Sequence, residues 1–412
     1  MAILYGTTGD GTTLPVLVDQ FGNLLAKGIP GDEGPPGPPG APGGDFALPA
    51  NPADGDVLGW ENGALVWISE PPPPLDPGFV PVIYTGNGGT QSISSLPFQP
   101  DFVFIKARNA GYNYVLFDSV RGTGGAKVLF SNNTSAEGGS SGQEGTVYGH
   151  VSAFNSNGFT VAAGTGTPLW VSNSGTNYIA WCWKAGGAAV SNTDGTITSS
   201  VSANTAYGFS IVGYTGNGTG GSSIGHGLNA PISFIIFKNL SDTENWFVWH
   251  NSFPSPTVDG LYLDLTANVQ NFGGTSFNST LPSSSVITLG NANIVNGSTD
   301  DMIAYCWAEI PEISSFGSYI GNGSATGPVV NCGFKPSFLM IKASSINGED
   351  WVILDSARNP SDPKNSILKP NTSQGEFTSD AYNVDFTDSG FSILNTNPRF
   401  NGSGTYIYAA FK

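Results

Sequence analysis

Charge is what this sequence has least of. Asp, Glu, Lys and Arg make up 11% of its 412 residues, against about 25% in an ordinary soluble protein. Of these, 31 are acidic and only 14 basic, for a net charge of −17. A nucleic-acid partner needs a basic footprint to displace counterions, so none is expected. No apolar run approaches the roughly 20 residues that span a bilayer, so membrane insertion is not expected either. Residues 1–20 lack a basic n-region and a long apolar h-region, which argues against a Sec signal peptide. Cysteine is nearly absent. Cys182, Cys306 and Cys332 are odd in number and widely spaced, and form neither a disulfide framework nor a zinc signature. P-loop and HExxH patterns are missing too, and the G-x-G strings that exist carry no information in a chain so rich in glycine.

Glycine, proline and aromatics are abundant instead. The chain has 57 Gly and 29 Pro, yet 39% of its residues are hydrophobic and 12% aromatic. That is enough apolar surface to fold, and the length allows about two to four domains. With so little charge, the surface must be covered by Ser, Thr, Asn and Gly. Such a surface without an export signal suits a particle assembled in a host cytoplasm and released by lysis.

Residues 28–43 place Gly28, Gly31, Gly34, Gly37, Gly40 and Gly43 at every third position, with Pro between them. Only glycine fits the axis where three polyproline-II strands meet, so 28–44 is predicted to be a collagen-like stalk of a homotrimer, roughly 45 Å long. A single-chain polyproline spacer is the other reading. Next comes a small unit, 45–75. Its runs Val57, Leu58, Trp60 and Leu65, Val66, Trp67 flank Asn62-Gly63, a strong hairpin signal because a type I′ turn needs positive φ twice. Pro71 to Pro74 read as a stiff hinge.

The remainder repeats itself. YTGNG at 84–88 and 214–218 is matched by YIGNG at 319–323. FVFIK, FIIFK and FLMIK follow, with Tyr84–Lys106, Tyr214–Lys238 and Tyr319–Lys342 spaced 22, 24 and 23 residues apart. YVLFD, WFVWH and WVILD come next, and each copy closes on YIAWCW, MIAYCW or YIYAAF. Units this long are domain-sized. Short β-branched and aromatic runs, cut by Gly, Asn and Ser every 8–12 residues, predict an all-β fold. The expected architecture is three tandem homologous β-sandwich, jelly-roll-like domains at 76–188, 189–311 and 312–412. The continuously apolar FVFIK type should be a central strand covered on both faces.

Comparing the copies sorts the candidate chemistry. Cys182 and Cys306 are answered by Ala410, a swap that a small core residue tolerates and a catalytic thiol does not. His150, His226 and His250 fall at unrelated positions and read as surface or hydrogen-bonded loop residues. Asp118/Arg121 and Asp355/Arg358 recur as DS[VA]R, while copy two has His250 and Phe253 there. They read as a strand-end turn in which Asp caps backbone N–H groups and pairs with Arg, or as a clamp on a ligand. Lys106, Lys238 and Lys342 leave apolar strands and are expected to reach solvent. Glycoside cleavage needs two carboxylates about 5–10 Å apart. Asp300-Asp301, Asp385/Asp388 and Glu349-Asp350 qualify only by proximity in the chain. Tyr84, Asn87, Tyr214, Asn217, Tyr319 and Asn322 mark loops that could present an amide and a ring to a sugar, although turn chemistry alone explains Gly-Asn-Gly. No cofactor or metal site is expected.

The sum of these features, from the Gly-X-Y stalk and DVLxW…NG…W hairpin to the tandem WCWKAGG/YCWAE-ended repeats, resembles fibre-type virion proteins of tailed bacteriophages, especially those infecting marine cyanobacteria. The resemblance implies a non-enzymatic head or tail fibre on the virion surface. Its N-terminal peptide, 1–27, would anchor to another virion protein, and its β domains would attach multivalently to host surface glycans or other receptors. The other readings are a head-decoration fibre with a purely structural or shielding role and a tailspike-like glycan depolymerase.

Overall fold

Phe102–Ala107, Ile232–Asn239 and Phe338–Ala343 are buried along their whole lengths, and the arrangement of the chain follows from what covers them. The computed structural model describes residues 77–412 and, before them, the strands Ala2–Thr7, Thr13–Val18, Asp56–Glu61 and Ala64–Ser69. Residues 1–75 and 76–412 form two units.

In the first unit, Ala2–Thr7 pairs antiparallel with Thr13–Val18. Asp56–Glu61 pairs antiparallel with Ala64–Ser69, with Trp60 opposite Leu65 and Leu58 opposite Trp67, as the hairpin reading expects. The Gly-X-Y segment, with Gly28, Gly31, Gly34, Gly37, Gly40 and Gly43, lies outside the described residues, as does Asn62-Gly63.

The second unit is built almost entirely of antiparallel sheets, and one strand order recurs in it. In the first repeat, Phe79–Thr85, Asn177–Trp183, Phe102–Ala107 and Val115–Asp118 lie side by side in that order. In the third, Ser314–Ile320, Thr405–Phe411, Phe338–Ala343 and Val352–Asp355 do the same. In the second, Phe209–Thr215, Asp301–Ala308, Ile232–Asn239 and Phe247–His250 are the middle of an eight-stranded sheet. The segment between repeats one and two supplies two of the added strands, Val190–Asn192 and Ser199–Asn204. A smaller sheet accompanies each of these sheets, such as Gln91–Ile93, Gly158–Ala162 and His150–Asn155 in the first repeat. The α-helices are single turns, the longest being Glu144–Tyr148, and among the described residues no helix is long and apolar enough to cross a membrane.

Strand alternation divides the side chains of repeats one and three between two cores, while both faces of repeat two's main sheet belong to one of them. In repeat one, Val103, Ile105, Tyr178, Ala180 and Cys182 point into a core of that repeat alone. Phe102, Phe104, Ile179, Trp181 and Trp183, on the opposite face, enter a core shared by all three repeats. Repeat three divides the same way, with Leu339, Ile341 and Ala410 inside and Phe338, Met340 and Phe411 in the shared core. The sequence predicts three tandem domains; the structure folds 76–412 as one compact unit. The physical reason is the second apolar face of each main sheet, which would be left wet in a row of separate domains.

At the centre, the equivalent residues Trp183, Trp307 and Phe411 form a near-equilateral triangle, with ring centroids 6.1, 5.5 and 6.2 Å apart. The contacts around it run one way. Phe102 of repeat one stacks on Tyr305 of repeat two at 4.4 Å, and Phe338 of repeat three meets Trp181 of repeat one at 5.9 Å. The repeats thus close head to tail into a ring with pseudo-threefold symmetry, repeat three meeting repeat one.

The first strand of each repeat's four is protected on its outward side at one equivalent position. Pro81, Ile211 and Phe316 stand opposite Trp181, Tyr305 and Ala409. Pro81 has no N–H to offer a foreign strand. Ile211 is covered by the added strand, opposite Ser202, and the Phe316 N–H donates to Glu309 Oε2 at 2.8 Å. Exposed edges invite strand pairing between chains, and these three devices suppress it.

Candidate functional site

The recurring polar residues gather at the seams between repeats. Lys106, Lys238 and Lys342 are fully buried, which corrects the expectation that they reach solvent. The alternation explains why: each has the parity of Phe102 and Phe104, the face turned toward a neighbouring repeat. Lys106 Nζ donates to the Ala110 and Tyr112 carbonyls of its own repeat and to Ser373 O of repeat three at 2.8 Å. Lys238 donates to Glu244 O at 2.7 Å and to Thr134 O of repeat one at 3.1 Å. Lys342 donates to the Glu349 carbonyl and to Thr266 O of repeat two at 3.0 Å. Each ammonium therefore ties its repeat to the preceding one around the ring. Burial pulls Lys106 down to about 7 and the other two to about 8. The carbonyls oppose that pull, because a neutral amine has only two N–H groups for the three acceptors around Lys106.

A backbone bond accompanies each lysine. Glu137 N–H donates to Leu240 O at 2.9 Å, Val269 N–H to Ser344 O at 2.8 Å and Glu376 N–H to Arg108 O at 2.6 Å. The acceptors stand two residues after the three lysines.

The DS[VA]R turns serve the same seams. Asp118 Oδ1 accepts from the Val120 and Arg121 N–H groups, and Oδ2 from Arg121 Nε at 2.5 Å. Asp355 and Arg358 repeat the Nε contact at 2.5 Å. This is the capping turn, and its carboxylate has a second task. Asp118 Oδ2 accepts from Tyr305 Oη of repeat two at 2.8 Å, and Asp355 Oδ2 from Trp181 Nε1 of repeat one at 3.0 Å. In repeat three the Trp181/Tyr305 position is Ala409, which offers no donor. Opposite it stands His250, whose Nε2 donates instead to Tyr408 O at 3.0 Å while Nδ1 accepts from Ser252 N–H. Acceptor and donor have exchanged places at the third seam.

That exchange has a pH signature. Burial pushes His250 down to about 4, below the usual 6.5. As pH falls through 6.5 the unfolded chain takes up a proton that the folded one refuses, so this contribution to stability is complete above 6.5 and lost towards pH 4. The loss should reach about 3 kcal/mol. Urea unfolding of the wild type and of His250→Gln across pH 7–4 should show a shallower acid slope in the variant; parallel slopes would contradict this.

The Gly-Asn-Gly loops are turns. Asn87, Asn217 and Asn322 each accept, through Oδ1, the N–H two residues on, and Gly88, Gly218 and Gly323 have φ of +80°, +65° and +64°. The tyrosines face inward. Tyr84, Tyr214 and Tyr319 donate their hydroxyls to Val171 O, Val295 O and Phe400 O. The asparagines are exposed, but ring and amide are not brought together on one contact surface. Cys182, Cys306 and Cys332 are buried and free.

The carboxylate pairs are engaged or apart. Asp300 accepts from Asn239 Nδ2 at 2.8 Å and Asp301 from Thr215 Oγ1 at 3.0 Å. Asp350 is held by Asn371, Lys369 and Arg399, and Glu349 lies 3.6 Å from Arg399. Asp385 sits on Val384–Thr387 and Asp388 in the turn beyond it. Among the described residues no group of three or more His, Cys, Asp or Glu could hold a metal ion.

The seams are not alike. Between repeats three and one, Arg108 forms a two-pronged bond to Glu376 at 2.9 Å, and Arg358 reaches the same carboxylate at 3.1 Å. At the equivalent of Arg108, repeat two has Leu240. Glu137 is there held by Arg121 and Lys127 of its own repeat, at 2.9 and 2.8 Å. A groove of about 450 Å³ opens along this seam between repeats one and two. Sequence reasoning missed Trp181, Tyr305, Arg108 and Glu376 as seam residues. The signal for the first two was the joint change of Asp to His and of a ring donor to Ala409.

A family described only as a domain of unknown function (DUF7483) matches residues 78–412, and the chain belongs to it. No curated protein and no solved structure matches the chain.

Proposed function

We propose that this member of the DUF7483 family is a structural appendage of a virion, a trimeric phage fibre, whose β unit attaches to host surface glycans or other receptors. In this reading 1–27 anchors the chain to another virion protein, and 28–44 winds three chains together. One observation supports a holding role over a catalytic one. The polar side chains that recur between repeats, the lysines and the DS[VA]R pairs, are consumed in joining those repeats. Such a head is a rigid platform, and three of them on one stalk would gain avidity from weak contacts. The mass of the intact protein in solution, measured by light scattering, should be three times that of the chain. Antibody against 312–412 should decorate the outside of intact virions and block adsorption. A monomeric mass would remove the stalk from this account, and unlabelled virions would remove the appendage.

A further inference from the structure

A groove opens at the seam between repeats one and two, and its lining has a definite chemistry. Half-buried Val120 and Leu240 supply its apolar floor. On one wall stand the exposed hydroxyls of Ser200, on the added strand Ser199–Asn204, and of Thr198, just before it, with no hydrogen-bond partner among the described residues. Thr215 and Ser241 add two more hydroxyls, and exposed Asp301 keeps one carboxylate oxygen unbonded beside them. On the other wall Lys127 is 38% exposed at its side chain, with its charge answered by Glu137 at 2.8 Å.

The charges that line the groove balance, two cations (Arg121, Lys127) against two anions (Glu137, Asp301). A charged ligand gains nothing from such a field, whereas a neutral ligand with many hydroxyls meets donors and acceptors along both walls. The apolar floor suits the C–H face of a pyranose ring. At about 450 Å³ the opening is of the size of small-molecule sites.

We infer that this groove binds one neutral sugar residue of a glycan, with its hydroxyls on Asp301, Thr198 and Ser200 and its C–H face on Val120 and Leu240. The inference rests on the attachment reading and narrows it to the seam between repeats one and two. At the seam between repeats three and one, the Arg108–Glu376–Arg358 bridge stands where the open walls would be.

The test uses the full chain and neutral hexoses (glucose, galactose and mannose) in saturation-transfer difference NMR. Ser200 is exposed, so Ser200→Tyr fills the groove without touching the core, and Asp301→Asn keeps shape while removing the charge. At least one hexose should show transfer with the wild type, reduced tenfold or more in Ser200→Tyr and several-fold in Asp301→Asn. No transfer from any hexose to the wild type, or equal transfer to Ser200→Tyr, would overturn the site. Fluorescently labelled chain incubated with host cells separates the two proposals. Equal adsorption of wild type and Ser200→Tyr sinks the groove and leaves attachment standing. Hexose binding without any adsorption sinks attachment and leaves the groove.

Discussion

Trp183→Ala should lower the stability of the 76–412 unit by about 3–5 kcal/mol, the range for removing a large buried aromatic. Trp183 is 4% exposed and lies at the meeting point of the ring. Its indole is within 6.1 Å of Trp307 in repeat two and 5.5 Å of Phe411 in repeat three, and packs on Phe79 and Phe102 of its own repeat. A cavity there removes contacts from three repeats at once, and no single strand can collapse into it. Urea unfolding followed by far-ultraviolet circular dichroism should show one transition at a lower midpoint. Trp170→Ala provides the comparison, since Trp170 packs on Phe130 and Tyr148 inside repeat one. Its cost should be similar and should appear in the same single transition, because one cooperative unit loses stability as a whole. A loss below about 1 kcal/mol for Trp183→Ala would count against a shared centre.

The second large effect is expected at a lysine. Lys106→Met preserves length and apolar stem but leaves the carbonyls of Ala110, Tyr112 and Ser373 without a donor. At about 1 kcal/mol for each acceptor left without its donor, the variant should be destabilised by up to about 3 kcal/mol. The removed ammonium was itself costly to bury, which keeps the figure from rising further. Lys127→Met, at a position 38% exposed, should cost less than about 1 kcal/mol. Chemical denaturation of both variants measures the difference. Equal, small losses would mean that the buried ammonium does not tie repeat one to repeat three.

The sequence and the structure agree most closely at the level of strands. Tyr84, Lys106, Asp118 and Trp183 mark landmarks that recur in order, and each falls on or at the end of a strand in the same place in the sheet. Continuous apolarity in FVFIK correctly implied cover on both faces. What it could not name was the second cover, because a Phe against its own small sheet and a Phe against a neighbouring repeat are the same letter. Lys106 carried that information in its parity with Phe102 and Phe104. An ammonium at the end of a doubly buried strand is ordinarily expected to escape along its stem, and the carbonyls of Ser373, Thr134 and Thr266, each supplied by another repeat, complete the acceptor set that makes the buried position tenable. The seam partners are distant in the chain for the same reason. Asp355 and Trp181 are 174 residues apart, and only ring closure makes them neighbours. The groove was illegible, since its existence depends on Leu240 standing where Arg108 stands in repeat one.

The ring itself is tested most directly by hydrogen exchange, read by mass spectrometry on the full chain at increasing urea. Peptides covering Phe102–Ala107, Ile232–Asn239 and Phe338–Ala343 report one repeat each. A closed ring predicts that all three open with the same free energy and the same urea dependence, because none can unfold without exposing the others. Three separate opening energies, with one repeat exchanging while its neighbours stay protected, would mean that the repeats stand independently and would contradict the account.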